Sequence, residues 1–298
     1  MPSPVHMILN PAARRGLAAR RIRDVLALFE REDIEVTLLE SRRPGDVEKQ
    51  VETLAGEGTE RLVIAGGDGT VNEAVNGLMR AGSGTALGLI PVGSGNDFAK
   101  AAGIGQQWEP AAAALARQLA ARTEPRTLDL GRCNQRYFAN GLGIGFDAVI
   151  TQLAQEIRLP IGDLVYVVGL VRALIRGIVT PALRIRAEGY AYEGRATLAN
   201  VANGPWLGGQ FLIAPDADAG DGQLNLVLAK PVSRRRVLQL VPRLRKGLHL
   251  EAEEVHHQPL GKLVIDCDEP LPSHLDGDVQ PHARRFDIEC VPGALRFI

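Results

Sequence analysis

A glycine-rich block near the start of the chain has the residue types and spacing of a phosphate site. It reads Gly66-Gly67-Asp68-Gly69-Thr70-Val71-Asn72-Glu73 and follows the apolar run 61–65. A strand that ends in such a turn and opens a helix presents bare backbone N–H groups and the positive end of the helix dipole. The carboxylate of Asp68 is tolerable beside phosphate mainly when a divalent metal or a proton lies between them. The block therefore predicts an enzyme that handles a nucleoside triphosphate and Mg²⁺.

The loops that contain Asn10, Ser41 and 93–96 are expected beside this block, because each follows an apolar run typical of a parallel strand. Ligands of parallel sheets sit beyond the carboxyl ends of the strands. Glycines let the backbone approach a ligand, and Thr70 and Ser94 carry hydroxyls that suit phosphate oxygens. For 93–95 alone, an ordinary turn without a ligand is equally well supported. The predicted nucleotide-contacting residues are Asn10, Pro11, Ser41, Gly66, Gly67, Asp68, Gly69, Thr70, Val71, Asn72, Glu73, Gly93, Ser94 and Asn96.

The apolar patterns predict two domains in this chain of 298 residues. Strand and helix patterns alternate over 1–130, which indicates an α/β domain with a parallel sheet. Over 131–298 strand patterns follow one another, with helical inserts near 163–177 and 233–248, which indicates an antiparallel β-sandwich. The last strand is a candidate to return to the first domain.

Finer expectations concern the second domain. Its predicted strands include 194–202, 262–267 and 284–291. The glycine cluster 140–147 lacks the spacing of a dinucleotide fingerprint and is predicted to be a tight structural loop.

Two carboxylates late in the chain are candidates for a proton acceptor. Asp276-Gly277-Asp278 is a tight acidic turn. Phosphoryl transfer to a hydroxyl requires a group that takes the proton, and a positioned carboxylate contributes roughly 10²–10⁴-fold. From the residues alone, a solvated Asp-Gly turn is the better interpretation.

Further carboxylates are candidates for binding a cation. Asp68, Asp97 and Asp129 each lie at or just past the end of a predicted strand, where they would repel one another unless a hydrated cation joins them. For Asp129 alone, an acid at the turn of an edge strand is the alternative. The segment 214–224 alternates acids with glycines, which suits a hard cation, although it lacks the spacing of an EF-hand.

The glycine block resembles a known family once the next loop is included. Together with Pro91-x-Gly93-Ser94-x-Asn96-Asp97-Phe98, it is similar to the diacylglycerol kinase catalytic-domain family, and most similar to its bacterial soluble lipid kinases, relatives of sphingosine and ceramide kinases. The resemblance implies a phosphofructokinase-like α/β domain joined to a lipid-binding β-sandwich. It also implies ATP-dependent phosphorylation of a lipid hydroxyl.

The resemblance also implies roles for individual residues. Asp276 matches the family's proton-accepting aspartate, and Asp278 stands where the family has a glutamate, so Asp276 is the first choice and Asp278 the second. Asp68, Asp97 and Asp129 match an aspartate–water–Mg²⁺ network. In a second, structural Mg²⁺ loop, Asp221 would supply its side chain, and Asp218 and Gln223 would supply carbonyl oxygens.

Composition narrows the compartment and the partners. The formal net charge of −1 gives no indication of nucleic-acid binding. The three cysteines are scattered along the chain, which favours a reducing cytoplasm. Neither a signal peptide nor a stretch long enough to span a bilayer is recognisable. The segments 157–187 and 233–249 combine apolar and basic residues, which suits transient docking on an anionic membrane surface or, equally, ordinary helix packing.

The sequence as a whole is interpreted as a cytoplasmic lipid kinase that uses ATP and Mg²⁺ and docks transiently on a membrane. Its substrate would be diacylglycerol or a related lipid, and a homodimer is compatible with the sequence. One alternative is a kinase of a soluble small molecule, of the dinucleotide kinase type. Another is an inactive nucleotide-binding regulator, in which Asp278 in place of glutamate marks a lost active site.

Overall fold

The computed structural model describes residues 4–157 and 164–298. It divides into two compact units, one formed by the described residues up to Leu128 together with Gly293–Ile298, the other by Asp129–Pro292. The predicted division fell at residue 130. Arg158 and Asp163 of the predicted basic segment 157–187 lie outside the described residues.

The first unit is an α/β layer structure. Its strands pair in parallel in the order β4-β3-β1-β2, and Phe297 near the chain end pairs in parallel with Leu87 of β4. The strands are β1 (Val5–Leu9), β2 (Val36–Glu40), β3 (Arg61–Gly66) and β4 (Ala86–Pro91). The helices are α1 (Leu17–Glu30), α2 (Asp46–Gly56), α3 (Asp68–Ala81), α4 (Asp97–Ala101) and α5 (Trp108–Ala120).

The core of the first unit explains why these segments fold as they do. β3 and β4 are buried on both faces and are continuously apolar, as expected for central parallel strands. Helix α3 buries Val71, Val75 and Leu78, which recur at helical spacing on one face. It ends at Gly82, whose φ of 61° closes the last turn at no steric cost.

The second unit is antiparallel. Its sheet runs in the order β14-β13-β10-β7-β15, with β8 also paired to β15 and β9 to β8, and β16 forms a long hairpin with β15. The first residues of β5 and the last residues of β16 belong to the first unit. The strands are β5 (Arg126–Cys133), β6 (Arg136–Phe138), β7 (Gly141–Gly145), β8 (Ala182–Ala187), β9 (Tyr190–Arg195), β10 (Leu198–Ala202), β11 (Trp206–Leu207), β12 (Phe211–Leu212), β13 (Leu224–Ala229), β14 (Val255–Leu260), β15 (Lys262–Leu275) and β16 (Asp278–Phe297). The helices are α6 (Phe146–Gln155), α7 (Leu164–Arg176) and α8 (Arg234–Leu244).

This architecture confirms the predicted α/β domain followed by an antiparallel β region, with corrections in detail. The predicted strand 194–202 is the end of β9 plus all of β10, and the strands 262–267 and 284–291 are parts of the much longer β15 and β16. The predicted tight loop at 140–147 is strand β7 leading into α6. Its glycines alternate with Leu142 and Ile144, which are buried in the core of the second unit, so the period is that of a strand.

Candidate active site

The glycine block of the first unit forms the end of β3 and the start of α3. Gly67 is extended, and its carbonyl oxygen accepts the first helical bond from the Val71 N–H at 3.0 Å. Gly69 is exposed, and a Cβ added to it would meet no atom within 4 Å. The helix therefore presents its N-terminal turn to open space, where the dipole and the first N–H groups favour an anion.

The second glycine segment lies directly against the first. A Cβ on Gly93 would overlap Cα of Gly67, and one on Gly67 would lie 2.9 Å from Cα of Gly93. The Val92 N–H donates to the Gly66 carbonyl oxygen at 3.0 Å. The two segments approach as closely as they do because neither carries a side chain at the contact.

Side chains from the neighbouring loops brace this edge. Asn10 Nδ2 donates to Thr70 Oγ1 at 3.0 Å, and the buried Ser41 lies just after β2, with its N–H on the Leu9 carbonyl. Asn96 holds its own loop, because its Oδ1 accepts the Gly93 N–H at 3.0 Å. Ser94 is exposed. The structure thus brings the predicted loops together at one edge of the sheet.

Three residues of the predicted nucleotide set contact other residues of the first unit. Val71 is a core residue, and the Asn72 carbonyl oxygen accepts a bond from Asn76 Nδ2 at 2.8 Å. Glu73 Oε2 accepts the Val47 N–H at the start of α2, at 3.1 Å. The side chains of Val71 and Glu73 therefore have packing or capping partners. A nucleotide contact by these residues stays a prediction.

The acids predicted to bind Mg²⁺ have protein partners. Asp68 Oδ1 accepts the Phe98 N–H at 3.0 Å, and the buried Asp97 pairs with Lys100 at 2.5 Å. In the second unit, Asp129 Oδ2 accepts the Gly222 N–H at 2.6 Å. Each carboxylate is held in a fixed place, which is a property of a positioned ligand as well as of a structural acid.

The acidic loop after β12 has carboxylates on its surface. Asp218 Oδ1 accepts the Gly220 N–H at 3.0 Å, and Asp221 Oδ1 accepts the Gln223 N–H at 2.9 Å. Exposed carboxylates among carbonyl oxygens are ligands that a hard cation takes. Within residues 4–157 and 164–298, however, no three His, Cys, Asp or Glu side chains are grouped to hold a metal. The magnesium sites stay predictions.

The acidic turn 276–278 is the tip of the β15–β16 hairpin. Leu275 pairs with Asp278, and the two residues between them, Asp276 and Gly277, have φ values of 50° and 85°, as a two-residue hairpin turn requires. Asp276 accepts three backbone N–H groups at 2.8 Å, from Ala139, Asn140 and Gly141. Asp278 is exposed and accepts a bond from Gln280 at 2.9 Å. Asp276 is the more rigidly held of the two acids.

A polar group behind this turn was missed by the sequence reasoning. His274 is completely buried, and its Nδ1 accepts the Gly277 N–H at 3.3 Å. Asp147 and Asn200 lie next to it. The signal available in the sequence was the histidine two residues before the acidic turn, in a strand that is otherwise largely apolar where it is buried.

An apolar cavity of about 140 Å³ lies in the second unit, between its helices and its sheet. Leu170 of α7 and Val237 and Val241 of α8 line it on the helix side, and Leu198 and Val227 line it on the sheet side. Apolar side chains make up most of its lining, and such a lining favours apolar groups over water.

One histidine of the cavity lining is buried beneath α8. His249 Nε2 pairs with the Ile213 carbonyl oxygen at 3.0 Å. Burial lowers the pKa of His249 to about 4, because the charged imidazolium loses its hydration there. The histidine is therefore neutral at physiological pH.

The surface formed by α7, the segment that follows it and α8 combines exposed apolar and basic side chains. Ile175 and Val179 are 73% and 72% exposed, and Leu238 is 57% exposed. Arg172 and Arg234 are exposed on the same two helices. None of the helices in the described part of the chain has the length and apolar run needed to cross a membrane.

Comparisons with known proteins match the two units in turn. The family model for the diacylglycerol kinase catalytic domain matches residues 4–133. The model for the YegS C-terminal NAD kinase beta sandwich-like domain matches residues 141–298. A crystal structure of a diacylglycerol kinase from Bacillus anthracis str. Sterne shares the fold, with a TM-score of 0.75 and 22% identity, covering 99% of this chain and 96% of that one.

Whole-length relatives carry names of the same kind. The chain is 29% identical to a diacylglycerol kinase of Mycobacterium tuberculosis (strain ATCC 25618 / H37Rv), over 99% of this chain and 94% of that protein. It is 30% identical to the "Probable lipid kinase YegS" of Salmonella paratyphi A (strain ATCC 9150 / SARB42), over 92% and 90%. Matches to both halves and to whole relatives lead to one conclusion: this chain belongs to the diacylglycerol kinase family, in its branch of bacterial lipid kinases, and is a phosphotransferase of the kinase type.

Proposed function

We propose that the protein transfers the γ-phosphoryl group of ATP, with Mg²⁺, to the hydroxyl of diacylglycerol or a related lipid. The observation that carries this proposal is the apolar cavity of the second unit, whose lining includes Leu170, Leu198 and Val237. A dinucleotide or another polar substrate gains nothing from such a lining. An acyl chain gains about 0.8 kcal/mol for each CH₂ group that it buries.

The first unit supports the nucleotide half of the proposal. Its exposed N-terminal turn of α3, open at Gly69, suits a polyphosphate. Magnesium would neutralise the phosphate charge beside the acids, with Asp68 and Asp97 as the predicted ligands on this unit. Asp129, and the loop residues Asp218, Asp221 and Gln223, are the corresponding predicted ligands of the second unit.

Asp276 is the proposed proton acceptor for the lipid hydroxyl. Three backbone donors fix its carboxylate, and a base held in this way loses little freedom when a hydroxyl approaches. Asp278 is the second candidate because it is exposed on the same turn. In this proposal, Asp278 shares the turn without taking the proton.

The protein is proposed to act in the cytoplasm, at a membrane surface that it reaches transiently. The exposed Ile175, Val179 and Leu238 would enter the interfacial layer, while Arg172 and Arg234 meet anionic headgroups. Each basic residue near such a surface contributes about 1 kcal/mol. The lining residues Leu170 and Val237 belong to these same helices, so an acyl chain would pass between them into the cavity.

The test is phosphate transfer from labelled ATP to a total lipid extract, followed by identification of the labelled lipid. We expect label in a lipid, and a fall in kcat of roughly 10²–10⁴-fold for Asp276→Asn, since a positioned base contributes that much. Asp278→Asn should have the smaller effect. ATP binding and the melting temperature of each variant show whether the site and the fold persist.

Asp33→Asn is the matched control. Asp33 is exposed and has a φ of 55°, close to the 50° of Asp276, so the same substitution is made in the same backbone conformation at a residue outside the predicted site set. Label in NAD and not in lipid would overturn the lipid assignment. ATP binding without transfer to any acceptor would identify a nucleotide-binding regulator, and a fully active Asp276→Asn would exclude Asp276 as the base.

A further inference from the structure

A buried histidine contacts the acidic turn from inside the second unit. His274 is 0% exposed, and its Nδ1 lies 3.3 Å from the backbone nitrogen of Gly277, the middle residue of the turn. An amide N–H can only donate, so Nδ1 must accept, and it has to be unprotonated. When this contact is made, the ring N–H is therefore the one on Nε2.

The other side of the imidazole faces a carboxylate. Asp147 Oδ2 lies 3.8 Å from His274 Nε2. Asp147 is itself fixed, since its Oδ1 accepts the Ala148 N–H at 2.8 Å and its Oδ2 accepts Asn200 Nδ2 at 3.4 Å. A carboxylate on the Nε2 side favours the tautomer that the Gly277 contact requires.

The strand register explains how these groups meet. His274 of β15 pairs with Gly143 of β7, and Gly143 pairs with Asn200 of β10, so the three residues form a row across the sheet. Gly143 leaves an empty position in the middle of the row. A Cβ there would overlap both Asp147 Oδ2 and His274 Nε2, so the side chains of the first turn of α6 and of β15 occupy the space that Gly143 leaves.

We propose that His274 is a positioning residue for the turn that carries Asp276 and Asp278, with Asp147 holding its imidazole in the required tautomer. Asp276 and Gly277 are both in the left-handed region, a conformation that costs energy at Asp276 and needs to be held. The Asp276 N–H is held by the Gly141 carbonyl oxygen at 2.9 Å, and the Gly277 N–H is held by His274. This inference rests on the proposed function, because the turn matters for catalysis only if Asp276 is the base.

Two substitutions at His274 separate its two nitrogens. In His274→Asn the side-chain oxygen lies close to the position of Nδ1 and can accept the Gly277 N–H, whereas in His274→Gln the amide lies near Nε2 instead. We expect the Asn variant to keep kcat within about threefold of the wild type and the Gln variant to lose about tenfold or more, with KM for ATP unchanged, because misplacement of a base lowers kcat rather than ground-state binding. His257, exposed on β14, takes the same pair of substitutions as the control.

Hydrogen exchange at the Gly277 amide tests the contact without any assay of activity. The Gln variant should exchange this proton at least tenfold faster than the Asn variant. Asp147→Asn should give an intermediate rate, because the imidazole of His274 is then no longer oriented by a carboxylate. A purely structural role predicts equal loss of melting temperature in the Asn and Gln variants, with equal kcat and equal exchange at Gly277. That result would overturn the inference.

Different results would disprove the proposed function and the positioning role of His274. If the wild type phosphorylates no lipid but the Asn and Gln variants still differ in Gly277 exchange, the proposed function is wrong and the contact is real. If the wild type is active and the two variants are indistinguishable in kcat and in exchange, the proposed function survives and the positioning role is wrong. Should the Gln variant not fold, the comparison of Asp147→Asn with the wild type decides by the same exchange measurement.

Discussion

Glycine residues have different structural roles in the two units. In the first unit, Gly67 and Gly93 let two backbones touch, and Gly69 leaves an open space in front of a helix N-terminus. In the second unit, Gly143 sits inside a strand and makes room for buried polar side chains. The first arrangement leaves backbone accessible at the edge of a sheet, and the second lets buried polar side chains pack against one another. What an added Cβ would meet therefore distinguishes a glycine next to open space from a glycine in a packed contact.

Gly143→Ala should have the largest effect on stability. Its methyl group would overlap Asp147 and His274, which are both buried, so we expect a loss of about 3 kcal/mol in the free energy of unfolding. The measurement is denaturant unfolding of the purified variant. Gly141→Ala is the control, because its Cβ would have nothing nearer than the Val201 carbonyl oxygen at 3.7 Å. Equal stability of the two variants would contradict the packing role of Gly143.

A fall in pH should lower the stability of the second unit before that of the first, because of His249. The pKa of this histidine is lowered to about 4 by burial, whereas the unfolded chain takes up the proton near pH 6.5. Stability is therefore complete above pH 6.5 and is lost as pH falls toward 4. By linkage, the loss between pH 7.5 and pH 5 is about 1–2 kcal/mol.

The chain has a convenient pair of reporters for this prediction. It contains two tryptophans, Trp108 in the first unit and Trp206 in the second, so each Trp→Phe variant leaves one reporter. Unfolding of each unit is followed by the fluorescence of its tryptophan. His249→Gln should remove most of the loss of stability that Trp206 reports on acidification, and it should change the unfolding reported by Trp108 little. A pH dependence that survives in His249→Gln would assign it to other groups.

The fold was largely predictable, because it depends on patterns that survive without a structure. The alternation of strand and helix up to about residue 130 and the glycine block at 66–73 each had a period or spacing to follow, and the family comparisons confirm the resemblance that these residues indicated. The strand β7 was missed because three of its five residues are glycine, which weakens the β signal. Its pairing with β10 and β15 is a long-range contact that no local pattern encodes.

The convergence of the loops was predictable, but the contacts of each side chain were not. Glu73 belongs to the same block as Gly69, yet it caps α2, and that partner lies 26 residues away in the sequence. Likewise, the burial of His274 and its contact with Gly277 follow from the pairing of β15 with β7. Spacing along the chain identifies which residues lie at the carboxyl edge of the sheet. Which partner each side chain has depends on tertiary contacts.

Gly69→Ala should have the smallest effect on stability, and it is the sharpest test of the glycine edge. The added methyl group meets no protein atom within 4 Å, and alanine is the better helix former, so the free energy of unfolding should change by less than about 1 kcal/mol, in the stabilising direction. The same methyl group would occupy the space in front of the α3 N-terminus where the phosphates are proposed to bind. We therefore expect ATP affinity to fall about tenfold, measured by calorimetry with Mg²⁺, in a variant that is at least as stable as the wild type. Gly67→Ala gives the contrast, because its methyl group collides with Gly93 and should cost stability as well as affinity. If Gly69→Ala bound ATP as tightly as the wild type, the open space at Gly69 would not be the phosphate site, and the difference between the two kinds of glycine would be one of packing alone.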